Sequence, residues 1–117
     1  MTYQEKYDAI IEALKTKAKE ILPQGARLVL FGSRARGDYK EDSDWDLHIL
    51  LPSSQKLTLS QIDNYAFPLE IIGWDFGEYF STSVYSFSDW YKRRGLPFYN
   101  NVEKDKIILI PAETHAS

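Results

Sequence analysis

Two short apolar runs constrain this chain more than any other feature. RLVLF at 27–31 and WDLHILL at 45–51 are rich in aliphatic and aromatic residues and bounded by turn residues. Runs of that length read as buried strands rather than helices. Between them lies a polar stretch, GSRARGDYKEDSD. The chain must therefore build a sheet around two buried strands, with a glycine-serine turn leaving the first and an Asp-Trp-Asp triplet opening the second.

The flanking sequence supplies helices for that sheet. Tyr7, Ile10, Ile11, Leu14, Ala18, Ile21 and Leu22 recur at three- and four-residue steps, which predicts an amphipathic helix over 3–22. Thr2 and Glu5 have the spacing of a capping box, and Pro23 and Gly25 stop the helix. A short helix is expected from Ser33, another over TLSQIDNYAF with Thr58 or Ser60 at its cap, and a third over SFSDWYKRRG. PFYNNVEKD reads as a helical turn and KIILI as a last strand. PLEIIGWDFGEYFSTSVYSF reads as two strands joined by a turn near Asp75-Phe76-Gly77. The sum is a single α/β (α+β) domain over 1–110, a small mixed sheet flanked by helices, with a loose tail at 111–117.

Composition narrows the partners. A chain of 117 residues has room for one core. The net charge of -3 argues against a broad grip on nucleic acid, and the basic cluster Lys92-Arg93-Arg94 reads as a solvated helix end. With no cysteine, any metal must use oxygen ligands or the two histidines. No run approaches the roughly 20 apolar residues of a membrane span, and the charged N-terminus is unlike a signal peptide. A cytoplasmic protein is expected. Aromatic residues make up 15% of the chain, many after Asn64, enough to serve a partner surface as well as a core.

The chemistry concentrates between Gly32 and His48. On a strand, Asp44 and Asp46 share one face and Trp45 takes the other. Two neighbouring carboxylates repel unless a cation lies between them, and two carboxylates with water and phosphate oxygens suit magnesium. Gly32 lets backbone amides approach an anion, and Ser33 adds a hydroxyl. Arg34 and Arg36 supply permanent charge, one for a phosphate and the other to brace the acidic loop. Ser43 orients that loop through its hydroxyl. His48 falls on the aspartates' face, and Tyr39 stands where a base could stack.

GSRARG followed by SDWDLHIL resembles the signature of the minimal nucleotidyltransferases (MNT) of the DNA polymerase beta superfamily. The resemblance implies a triphosphate held at Gly32, Ser33, Arg34, Arg36 and Ser43, and two magnesium ions at Asp44 and Asp46. It implies transfer of a nucleoside monophosphate from a nucleoside triphosphate, ATP by preference, to an acceptor hydroxyl with release of pyrophosphate. Members of the superfamily carry a third carboxylate on a neighbouring strand. Here that position falls near Ser81, and the acids at hand are Glu78, Glu70 and Asp75, of which Glu78 is taken as catalytic. Small members pair with helical HEPN-type proteins as antitoxins, so a protein partner is implied, and a second subunit is another way to complete the cleft. The alternative is an antitoxin that acts by binding alone, with antibiotic nucleotidylation ranked below both.

Overall fold

A computed structural model describes residues 1–112 of the chain; residues 113–117 of the expected tail lie outside the described residues. Helix α1 (Tyr3–Ile21) starts at the Thr2–Glu5 capping box and leads to β1 (Arg27–Phe31). A single turn, α2 (Ser33–Arg36), precedes β2 (Trp45–Leu51). Helix α3 (Leu59–Asp75) leads to β3 (Phe80–Ser86), followed by α4 (Phe87–Tyr91), α5 (Pro97–Asp105) and β4 (Ile107–Ile110).

The four strands form one mixed sheet in the order β3-β2-β1-β4. β1 pairs antiparallel with β2 and β4, and β2 pairs parallel with β3. The parallel pair needs a crossover, which α3 supplies. As expected, the two aliphatic runs are neighbours, with Phe31 opposite Asp46.

Both faces of β2 are covered. Trp45, Leu47, Ile49 and Leu51 join Leu28, Leu30 and Phe80 in the larger core, beneath Ile10, Leu14 and Ala18 of α1 and Ala66, Leu69 and Ile72 of α3. Leu50 and Val29 face the other way, into a smaller cluster with Trp90 of α4 and Val102 of α5. A strand buried on both sides loses the polar alternation of a surface strand, which is why WDLHILL reads as nearly continuous apolar sequence.

The expected hairpin over 68–86 is corrected. Only its second half is a strand; residues 68–75 continue α3. Pro68 lies inside that helix, where it removes a hydrogen bond at a cost of about 3 kcal/mol. Burial of Ala66, Leu69 and Ile72 outweighs it, at roughly 1.5–3 kcal/mol for each large side chain fully covered. Gly73 completes the fit. A Cβ there would lie 2.8 Å from the Phe80 ring and 3.0 Å from the Glu78 carbonyl, so glycine lets the chain double back under its own helix.

Candidate functional site

Gly32 joins β1 to α2 with φ +75° and ψ −159°, a conformation open to glycine alone. The register that sets Phe31 against Asp46 brings the Asp46 carboxylate onto this bare backbone. A Cβ on Gly32 would lie 2.3 Å from Asp46 Oδ2. The glycine is required here by the carboxylate as well as by the turn.

Asp46 is half-buried and Asp44, just ahead of the strand, is exposed. Burial raises the Asp46 carboxyl pKa, and the charge of Asp44 raises it further, against the opposing charge of Arg36. This is a pair of acids arranged to want a cation. Among the described residues no group of three or more histidines or carboxylates stands ready to hold a metal. Two carboxylates are oxygen donors of the kind a divalent ion takes, with phosphate and water able to complete its coordination.

The two arginines separate in role. Arg34 is 4% exposed. Its guanidinium donates to the carbonyls of Ser43 (3.0 and 3.2 Å) and Glu41 (3.1 Å), and lies 4.7 Å from the Tyr39 ring and 5.1 Å from Trp45. It is the brace of the acidic loop. Arg36 is exposed, held by Asp38 (3.2 Å) and by Asp105 at the end of α5 (2.7 Å). Ser43 closes the loop, its hydroxyl accepting from the Lys40 amide at 2.8 Å. Ser33 opens α2 and is half-buried. Tyr39 stacks on Tyr3, with ring centroids 4.9 Å apart, so its face is already in use.

Glu78 is not brought to the aspartates. It sits on the Trp45 side, where its carboxylate accepts from Lys6 (2.6 Å), Trp45 Nε1 (3.0 Å) and Arg34 (3.4 Å). Burial alone would raise its pKa, but the hydrogen bonds from Lys6 and Trp45 and the charges of Lys6 and Arg34 hold it below the ordinary glutamate value. Glu70 stands on α3 beside Thr82, a residue in register with Leu47, hence also on the α1–α3 side. Asp75 ends α3 and is exposed. The residue beside Asp46 on β3 is Ser81. Sequence reasoning reached Ser81 by position; it missed the Lys6–Glu78–Arg34 cluster, because nothing local in the chain links residues 6, 34 and 78.

His48 lies on the Asp46 face but away from solvent, packed among Tyr85, Trp90 and Phe98, and neither ring nitrogen has a partner. Burial and the nearby Arg27 charge, against the opposing charge of Glu103, push its pKa down to about 3, so it is a neutral core residue at neutral pH.

Comparison with known proteins agrees with this architecture. No curated protein sequence matches the chain. A chain of a toxin-antitoxin crystallised with AMP-PNP is similar in fold, with a TM-score of 0.55 at 14% identity over 96% of this chain and 76% of that one. The family model for the nucleotidyltransferase domain matches residues 9–110, from α1 through β4. With a match over that span, and with paired aspartates set against a glycine turn, this chain belongs to the nucleotidyltransferase-domain family.

Proposed function

We propose that this nucleotidyltransferase moves a nucleoside monophosphate from ATP to a hydroxyl on a partner protein, in a toxin-antitoxin pairing in the cytoplasm. The observation that carries the reading is the Asp44–Asp46 pair, with Asp46 half-buried against Gly32 and facing the like charge of Asp44. Asp44 and Asp46 would hold the magnesium ion or ions, which when bound would supply charge neutralisation for the triphosphate and the departing pyrophosphate. Gly32 and Ser33 cradle the phosphates, and Arg36, the exposed arginine, meets them at the rim. Arg34, Ser43 and Glu78 position the loop that carries Asp44.

In the reaction the acceptor oxygen forms a bond to the α-phosphorus. The bond from that phosphorus to the bridging oxygen breaks, and pyrophosphate leaves with its electron pair. The acceptor proton passes to water, since Ser81, next to Asp46 on β3, cannot take it.

That serine also favours the second reading, an antitoxin that binds nucleotide and partner without transfer. The structural neighbour, a toxin-antitoxin crystallised with AMP-PNP, supports the pairing in both versions. A helical protein of the HEPN kind is the proposed partner; a homo-oligomer that completes the cleft and an antibiotic acceptor rank below it.

Two measurements test the reading. Calorimetry should show ATP binding that requires magnesium and weakens by several kcal/mol in the Asp44→Asn/Asp46→Asn double variant, because the ion links protein to phosphate. Equal binding by wild type and variant would defeat the site. Transfer of labelled AMP onto a co-expressed helical partner separates the enzyme from the binder: label on the partner, lost with Asp46→Asn, is the outcome expected.

A further inference from the structure

Asp105 ends α5 with its side chain only 7% exposed. Two things disfavour a carboxylate there. Burial strips water from its charge, and the C-terminal end of a helix carries partial negative charge of its own, which suits a cation. Lys106, the next residue, is turned to Glu103 at 3.2 Å. Among the described residues the one cation paired with Asp105 is Arg36, whose Nη1 donates to Asp105 Oδ2 at 2.7 Å across 69 positions of sequence.

The fold brings the two together at the candidate site. β4 follows α5 directly and pairs antiparallel with β1, Ile107 opposite Leu30. The residues ahead of Ile107 therefore run past Phe31 toward the Gly32 turn. α5 is fixed there by Val102, buried in the smaller core, and by Phe98, whose ring meets Phe31 edge-on with centroids 5.7 Å apart. Arg36 arrives on the single turn that Gly32 opens, its amide donating to the Gly32 carbonyl at 2.9 Å. Burial and the Asp44 charge raise the Asp46 carboxyl pKa while the Arg36 charge lowers it, so the guanidinium lies within electrostatic reach of the aspartates.

A guanidinium carries five N–H groups. Asp38 accepts from Nε at 3.2 Å and Asp105 from Nη1. Five less two leaves three, both on Nη2 and one on Nη1, with no bonded acceptor among the described residues.

We propose that Asp105 is a positioning residue for the triphosphate: it holds Arg36 at the mouth of the Gly32 turn with three N–H groups free for phosphate oxygens. The idea rests on the reading of the Gly32–Asp46 corner as a triphosphate site and adds the residue that keeps its exposed arginine in place. An arginine on a four-residue turn, without partners, would sample many rotamers and lose them on binding. A carboxylate on a packed helix removes that cost beforehand. Asp38 is exposed and local, so Asp105 supplies the link to a packed element.

Calorimetry with ATP and magnesium on the wild type, Asp105→Ala, Arg36→Ala and the double variant tests the role. Removing a carboxylate beside a triphosphate would by charge alone tighten binding, so a loss reports the freed arginine. Arg36→Ala should weaken ATP binding about tenfold and Asp105→Ala about fivefold. The double variant should bind no worse than Arg36→Ala, because with the guanidinium gone nothing is left to position. If urea unfolding shows that Asp105→Ala does not fold, Asp105→Asn takes its place in the same cycle. It keeps the shape and an oxygen acceptor without the charge, and a loss of about threefold is expected. Unchanged or tighter ATP binding by the Asp105 variant, or a further loss when it is added to Arg36→Ala, would overturn the role, as would unchanged binding by Arg36→Ala. A wild type that binds no ATP with magnesium would instead overturn the site itself, so the two failures are distinguishable.

Discussion

Arg34 and Arg36 stand two positions apart and face opposite surroundings, one sealed under the acidic loop and the other at its rim. Their residue type and spacing were legible in sequence; which one went inside was not, because that depends on Trp45 and Tyr39 arriving around the guanidinium. Gly32 was legible as a turn. Its contact with Asp46 depends on the register of β1 against β2, which a single sequence states only as adjacency. Gly32→Ala is expected to destabilise the fold by about 1–3 kcal/mol, from positive φ alone, and to abolish magnesium-dependent ATP binding by displacing the Asp46 carboxylate. Urea unfolding and calorimetry on the same preparation check both halves. A variant that binds ATP normally would show that the carboxylate has room to move.

At the scale of elements, helix starts were the most legible: the Thr2–Glu5 box was read directly, and the start of α3 was narrowed to Thr58 or Ser60, of which Thr58 is the cap. α3 was the failure. Pro68 reads as a stop, and the apolar stretch after it reads as strand, yet Ala66, Leu69, Ile72 and Gly73 continue a helical stripe across the proline. Packing overrode the local breaker. If Pro68 is tolerated rather than needed, Pro68→Ala should stabilise the protein by about 1–3 kcal/mol, since it restores a helical amide at a position whose neighbours are already packed. A lower thermal midpoint for the variant would mean that the helix is bent to fit its site and that the bend matters.

The whole molecule is two cores on opposite faces of one sheet, and the smaller one holds two groups, Glu103 and His48, that couple stability to pH. Glu103 accepts a forked pair from Arg27 (2.8 and 3.2 Å) and a hydrogen bond from Trp90 Nε1 (2.8 Å). Burial would raise its pKa, but those bonds, the Arg27 charge and Lys106 hold it near about 2, below its ordinary 4.5. Its contribution is present above pH 4.5 and lost as pH falls toward 2. His48 acts earlier. The unfolded chain takes up its proton near pH 6.5 and the folded one only near about 3, so between those values the unfolded state binds more protons and stability falls with falling pH. His48→Phe, which sacrifices no hydrogen bond, should leave stability at pH 7 intact and flatten the loss between pH 6.5 and 4.5. An unchanged acid slope in urea midpoints across that window would contradict this account of the buried histidine.

β2 lies between two strands and under helices on both faces, whereas β3 and β4 each have one neighbour. Fluctuations of a native protein open its periphery before its centre. The central strands β1 and β2 are thus expected to exchange their amides with solvent later than the edge strand β3 beside Asp46. The molecule carries Asp46 on a firmly held central strand, sets Asp44 at that strand's open end, and leaves a looser margin alongside.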